Sequence, residues 1–64
     1  MNIQALKAEI VRQGYTQAEV AKLIGISETT MSRRMQKENF GLDEAKKLIE
    51  LLKIHNPQDI FFAP

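Results

Sequence analysis

One stretch constrains this chain more than any other: residues 17–35, with the sequence QAEVAKLIGISETTMSRRM. Short helical patterns lie on both sides of Gly25 within it. Glycine readily adopts the positive φ that a tight turn between two helices requires, so the turn is predicted at Gly25. Ser27 is the predicted N-cap of the second helix, because its hydroxyl can accept a hydrogen bond from an unpaired N–H. The stretch therefore predicts two helices joined by a short turn.

This stretch also has the spacing of a helix-turn-helix. Ala21 is small enough for two helices to cross closely, and Gly25 follows four positions later. Ile26 is the apolar residue that holds the turn against the core. Ser27 then begins the second helix, and Met31 returns an apolar side chain to the core. One of these features alone would be weak evidence, but the five in this order predict a helix-turn-helix.

The rest of the chain shows three further helical patterns and no strand pattern. Apolar residues at helical spacing place Val11, Leu23 and Leu42 on the inner faces of their helices, and Phe40 is predicted to plug the core from a loop. The predicted fold is all-α, a compact five-helix domain that spans residues 1–64 as one unit. The helices are predicted over about residues 3–13, 17–24, 28–36, 42–52 and 57–62.

Composition excludes several classes of protein. The chain has 64 residues, no cysteine and one histidine, so neither a disulfide nor a metal site is expected, and no cofactor. No apolar run approaches the roughly 20 residues of a membrane span, and the N-terminus does not read as a signal peptide. A cytoplasmic protein is expected. There is no glycine-rich phosphate loop, and Ser27 and Ser32 have no predicted neighbouring base, so an enzyme is not expected.

The charge is unevenly distributed. The net charge is only +1, which is low for a nucleic-acid-binding protein. However, Arg33, Arg34 and Lys37 are close together at the end of the central stretch. A local basic patch can attract phosphate even when the whole chain is nearly neutral.

The outer face of the third helix carries side chains suited to the major groove of DNA. Thr29 can offer a methyl group to thymine, Arg33 can bind guanine through two hydrogen bonds, and Ser32 can reach a base or a phosphate. Glu28 is open to two interpretations: it can accept from a cytosine amine, or it can simply stabilise the first turn of the helix. Gln17, at the start of the second helix, can donate to a phosphate.

The residues QAEVAKLIGISETTMSRRM resemble the lambda-repressor/Cro helix-turn-helix family, often called the XRE family. The later segments LDEAKKLIELLKI and NPQDIFF are similar to small Cro-like regulators of Gram-positive phages and prophages. The resemblance implies a five-helix DNA-binding fold that acts as a dimer on operator DNA. By position, it implies that Glu28, Thr29, Ser32 and Arg33 read bases and that Gln17 binds phosphate.

Further phosphate contacts are predicted at Arg34, Lys37 and Asn39. The family often has an apolar residue at position 34, whereas here the hydrophobe falls at Met35. Whether Arg34 faces phosphate or solvent therefore stays open at this stage. Phe62 is the predicted dimer contact, because two adjacent phenylalanines are difficult to bury together in so small a domain.

These observations favour a sequence-specific transcriptional regulator of the Cro type, which binds double-stranded operator DNA as a homodimer and represses by covering a promoter. No effector domain is visible after the predicted fold, which favours a minimal regulator over a longer repressor. Two alternatives remain. The same fold could serve as a protein-interaction module such as an antirepressor, which the low net charge and Glu28 would suit, or as the antitoxin of a toxin–antitoxin pair.

Overall fold

The computed structural model describes residues 1–62, which form five α-helices and no strand. The predicted all-α class is confirmed. The bounds of the second and fourth helices are those predicted, and the other three end within one residue of the prediction. No helix in the described part of the chain is long and apolar enough to cross a membrane. The helices are α1 (Ile3–Arg12), α2 (Gln17–Ile24), α3 (Glu28–Lys37), α4 (Leu42–Leu52) and α5 (Pro57–Phe61).

The first three helices begin with side-chain caps. The Thr16 hydroxyl accepts from the Glu19 N–H at 3.1 Å, and the Glu19 carboxylate accepts from the Thr16 N–H at 2.8 Å, which together form a capping box. Asn2 and Ser27 cap α1 and α3 in the same way, each accepting an N–H at 3.1 Å. Gly25 ends α2 with a φ of 83°, so the predicted turn is confirmed.

The last two helices begin differently. Gly41 precedes α4 and has no side chain to cap it, so the Glu44 carboxylate instead accepts from the Gly41 N–H at 2.9 Å. The predicted start of α5 at Pro57 is confirmed, but Asn56 makes no capping bond to the backbone. The Asn56 amide donates to the Asp59 carboxylate at 3.3 Å instead.

All five helices contribute to one apolar core. Met31 is buried, as predicted, and Met35, one turn later on the same side of α3, is buried as well. Ile26 and Phe40 are partly buried and pack against the core from the two loops that flank α3. The core residues are Leu6, Ile10, Val20, Ala21, Ile24, Met31, Met35, Leu48, Leu52, Ile54 and Ile60.

Three apolar residues predicted to face inward are exposed. Val11 is 74% exposed, Leu23 58% and Leu42 65%, so these three predictions are wrong. Val11 is adjacent in sequence to the buried Ile10, and Leu23 to the buried Ile24. Adjacent residues in an α-helix differ by a rotation of about 100° around the helix axis. A chain this short has too small a core to cover an apolar arc of that width.

Two long-range hydrogen bonds join the ends of the fold. The Asn2 N–H donates to the Ile60 carbonyl at 2.6 Å, which ties the start of α1 to α5. The Gln13 side-chain amide donates to the Leu52 carbonyl at 3.1 Å, where α1 and α4 both end. α1, α4 and α5 therefore form the support on which α2 and α3 are held.

Candidate nucleic-acid interface

The outer side of α3 presents a continuous polar stripe. Positions 28, 32 and 36 lie one above another on a helix, and positions 29 and 33 lie beside them. All five side chains at these positions are exposed, while Met31 and Met35 anchor the opposite side of α3 in the core. We call this stripe the reading face; it consists of Glu28, Thr29, Ser32, Arg33 and Gln36.

The start of α2 lies beside the reading face. The Gln17 amide nitrogen is 3.4 Å from the Ser32 hydroxyl oxygen, to which it donates. A side-chain amide carries a second N–H, and the first backbone N–H groups of α2 have no partner within the helix. The structure thus brings Gln17, predicted to bind phosphate, next to Ser32, predicted to read bases. Together with Ala18, Glu28 and Met31 they line a crevice of about 180 Å³.

Two residues near this crevice were absent from the predicted site. A neighbouring crevice of about 210 Å³ is lined by Gln17 and Ser32 together with Lys7, Met35 and Gln36. The spacing of α3 already placed Gln36 on its outer face, so its inclusion could have been predicted. The inclusion of Lys7 could not have been predicted, because its position depends on how α1 crosses α2 and α3. Lys7 places a cation beside Gln17.

Lys37 and Asn39 lie at the C-terminal end of α3. Lys37 is the last residue of the helix, Asn39 follows in the loop, and both are exposed. The Asn39 backbone N–H donates to the Arg34 carbonyl at 3.1 Å, which closes the end of α3. Neither residue lines the crevices around Gln17, so the predicted phosphate ligands fall into two groups, one where α2 meets the reading face and one where α3 ends.

Arg34 is half-buried and points to α4 rather than to the reading face. Its Nε donates to Glu44 Oε1 at 2.9 Å, and its Nη2 donates to Glu44 Oε2 at 3.3 Å. The hydrogen bond from Arg34 lowers the pKa of Glu44 below its ordinary value of 4.5; partial burial opposes this, and the Gly41 N–H and the charges of Arg34 and Lys47 add to it. The same hydrogen bond raises the pKa of Arg34. Sequence patterns gave no sign of this ion pair.

Lys47 lies on α4. It is exposed, and its ammonium group donates to the Ile24 carbonyl at 3.4 Å. A cation at the last turn of a helix satisfies an unpaired carbonyl and complements the helix dipole. Lys47 therefore connects α4 to the end of α2, immediately before the turn at Gly25.

An apolar groove lies between the end of α5 and the start of α4. Phe62, the predicted dimer contact, is 70% exposed at its edge, close to the exposed Leu42. The groove has a volume of about 290 Å³. We call it the terminal groove; its lining residues are Met1, Glu38, Asn39, Phe40, Leu42, Ala45, Phe61 and Phe62.

Among residues 1–62 there is no group of three or more His, Cys, Asp or Glu side chains placed to hold a metal ion.

The chain matches the family described as the Antitoxin Xre-like helix-turn-helix domain over residues 8–53, well over half of its length. The chain belongs to this family. Comparison with the curated proteins and with the solved structures gave no match.

Membership of the Xre-like family agrees with the architecture. The matched range contains α2, the turn at Gly25 and α3, and the five-helix arrangement is that of a lambda-repressor-like fold. The predicted resemblance to the XRE family is therefore confirmed. An Xre-like helix-turn-helix domain indicates a DNA-binding regulator or an antitoxin. The match ends at residue 53, so α5 and two phenylalanines of the terminal groove, Phe61 and Phe62, lie outside it.

Proposed function

We propose that this protein binds double-stranded operator DNA sequence-specifically, with α3 in the major groove, and that it regulates transcription. The observation that carries the proposal is the reading face: five exposed polar side chains on one side of α3, with the start of α2 directly beside it. An α-helix fits the major groove, where each base pair presents a distinct pattern of donors and acceptors.

The reading face supplies the base contacts. Arg33 is exposed and its guanidinium can donate twice to guanine, which is the commonest specific contact in the major groove. Thr29 and Ser32 can bond base edges, and Thr29 can also pack against a thymine methyl group. Glu28 projects from the first turn of α3, where a carboxylate can accept from the amine of cytosine.

Two groups of residues beside the reading face supply the phosphate contacts. Next to Ser32, Gln17 and the first N–H groups of α2 can donate to a phosphate, and Lys7 adds positive charge beside them. At the end of α3, Lys37 and Asn39 are exposed where the helix meets the next loop. Contacts of this kind fix the position of the helix in the groove, while the side chains of the reading face select the sequence.

We further propose that the protein acts as a homodimer that represses by covering a promoter, in the manner of small Cro-like regulators of phages and prophages. A domain of this size has a small core and gains stability by association. The terminal groove exposes Phe62 and Leu42, which a second copy would cover. Sedimentation of the protein alone and with DNA tests this: a dimer that Phe62→Ser abolishes supports it, whereas a monomer under both conditions rules it out.

Selection of binding sites from a pool of random double-stranded DNA tests the proposed function most directly. We expect an enriched motif, and an affinity that falls as salt rises, because each phosphate contact releases counterions. Arg33→Ala should weaken binding to the selected site by about 1–3 kcal/mol and relax the preference at one base pair.

The matched control is Arg12→Ala. It removes the same guanidinium from α1, where Arg12 is paired with Glu9 at 2.7 Å and takes no part in the reading face. We expect the control to leave the selected motif unchanged. Equal effects of the two variants would show that Arg33 contributes only charge and would remove it from the list of base-reading residues.

The second candidate is an antitoxin, which binds a toxin protein in addition to or instead of DNA. The description of the matched family favours it, and the low net charge is compatible with it. Failure to enrich any DNA motif, together with no shift of non-specific DNA at low salt, would favour this protein-binding function or an antirepressor. Co-purification with the product of a neighbouring gene would then identify the partner.

A further inference from the structure

One carboxylate connects three segments around the end of α3. Glu44, in the first turn of α4, accepts two hydrogen bonds from the Arg34 guanidinium of α3, at 2.9 and 3.3 Å. The same carboxylate accepts from the backbone N–H of Gly41 at 2.9 Å. Its side chain is only 17% exposed, so these bonds are partly shielded from water.

The direction of Arg34 along α3 separates it from the reading face. Arg34 follows Ser32 by two positions, which corresponds to a rotation of about 200° around the helix. Its side chain therefore leaves α3 on nearly the opposite side from Ser32. A guanidinium held by two hydrogen bonds to a carboxylate has a defined geometry that a single point contact lacks.

The loop between α3 and α4 is held at both ends by the same pair of residues. At its start, the Asn39 N–H donates to the Arg34 carbonyl at 3.1 Å. At its end, the Gly41 N–H donates to the Glu44 carboxylate. Glu38 passes through the left-handed region with a φ of 51°, a conformation that non-glycine residues rarely adopt without such support.

We propose that Glu44 is a positioning residue for DNA binding: through Arg34 and Gly41 it fixes the loop that carries Asn39 and the last turn of α3 that carries Lys37. Arg34 then serves as the partner of Glu44 and is not itself a phosphate ligand. This inference rests on the proposed function, because Lys37 and Asn39 bind phosphate only if α3 enters the major groove.

The sign of the effect of Glu44 distinguishes this arrangement from a simple sum of charges. If Arg34 and Glu44 acted as independent charges, removing Arg34 would weaken DNA binding and removing Glu44 would strengthen it. If they act as one unit, removing either weakens binding to the selected site, and removing both costs little more than removing one.

The experiment compares Arg34→Met, Glu44→Ala and the double variant on the selected DNA site and on random-sequence DNA, over a range of salt concentrations. Circular dichroism first establishes that each variant is folded at the temperature used. We expect each single variant to lower the affinity for the selected site by on the order of three- to tenfold, with a non-additive double variant. Arg34→Met and Glu44→Ala should change the salt dependence of binding to random DNA to the same extent, because each releases the same phosphate ligands, Lys37 and Asn39.

Two results would overturn the inference. The first is a tighter affinity of Glu44→Ala for the selected site. The second is a decrease of about 0.9 in the magnitude of the slope of log affinity against log salt in Arg34→Met that Glu44→Ala does not share, since 0.9 is the contribution expected of one phosphate contact made by Arg34 itself. Glu44→Gln provides a conservative check: it keeps an acceptor for Gly41 and should fall between the wild type and Glu44→Ala.

A measurement without DNA separates this inference from the proposed function. In the free protein, amide hydrogen exchange at Asn39 and Gly41 should be faster in Arg34→Met and Glu44→Ala than in the wild type, while exchange at the buried Met31 is unchanged. If the wild type fails to bind DNA, the proposed function fails, but this exchange result still decides whether Glu44 holds the loop. Unchanged exchange at both amides would show that it does not.

Discussion

The two halves of this protein are built in different ways. In residues 16–37, each helix end is closed by a neighbour in sequence: Thr16 with Glu19, then Gly25, then Ser27. In residues 41–62, Gly41 has no side chain to offer as a cap, and Asn56 bonds Asp59 without capping the backbone. This second half also exposes Leu42 and Phe62.

The difference shows how a small domain can separate two tasks. The geometry of α2 and α3 is specified by local signals, so the reading face is formed before any partner arrives. A preformed surface does not have to be ordered on binding, which avoids part of the entropic cost of association. The second half has no side chain at Gly41 or Asn56 that caps the backbone, and its terminal groove has apolar side chains still exposed to solvent.

The largest expected effect comes from the core beneath the reading face. Met31→Ala should lower the free energy of unfolding by about 2–5 kcal/mol, because Met31 is fully buried between α3 and the rest of the core. Leu42→Ala, in the exposed part of α4, should change it by no more than about 0.5 kcal/mol. Urea unfolding of both variants measures this, and a similar loss in the two would contradict the assignment of Leu42 to the surface.

A substitution in the turn between α2 and α3 should have the next largest effect on stability. Gly25→Ala should destabilise by about 1–2 kcal/mol, since alanine is strained in the left-handed region. The strain comes from the backbone alone, because an added Cβ at Gly25 meets no atom within 4 Å. Gly41→Ala is the matched control: its φ is −65° and the added Cβ meets Glu44 at an ordinary 3.7 Å. We expect that control to be neutral or stabilising by about 0.4–1 kcal/mol in thermal unfolding.

The helix caps should show the same contrast on a smaller scale. Thr16→Ala removes a complete capping box and should cost about 1 kcal/mol. Asn56→Ala removes a side chain that makes no capping bond, so we expect only a few tenths of that loss in denaturant unfolding. Equal losses would mean that Asn56 caps α5 in solution, and the contrast between the halves would then be smaller than described.

The smallest expected effect is on the dependence of stability on pH. The folded state lowers the pKa of Glu44, mainly through the hydrogen bond from Arg34, so the unfolded chain binds its proton more tightly. The stabilisation is therefore complete above about pH 4.5 and is lost as the pH falls through the lower pKa of the folded state. Glu44→Gln should flatten the acid side of the curve of stability against pH. An unchanged slope below that pH would show that the ion pair adds no pH-dependent stability.

Local signals made most of α2 and α3 predictable. The capping box, the turn glycine and the Ser27 cap each act through neighbours in sequence, so they could be recognised without knowledge of the fold. The same is true of the reading face, since the buried Met31 and Met35 fix which side of α3 faces outward. The matched family later confirmed the motif that these residues predicted.

What could not be predicted depends on contacts between distant segments. Arg34 was expected at a phosphate or in solvent, but its partner lies ten positions away on α4, across a loop whose path no local pattern specifies. Lys7 reaches the crevice beside Gln17 only because of the angle at which α1 packs. Leu23 was predicted to be buried because periodicity identifies an apolar face without limiting how much of it the core can cover.

The hydrogen bond between the Asn2 N–H and the Ile60 carbonyl has a practical consequence for handling the protein. It brings the start of α1 to α5, so residues 1 and 62 both border the terminal groove. An affinity tag or fluorescent label attached at either of these positions would emerge beside that groove and interfere with measurements of self-association. A label on the exposed side chain of Lys22, in α2, would leave the groove clear, because Lys22 is not among its lining residues.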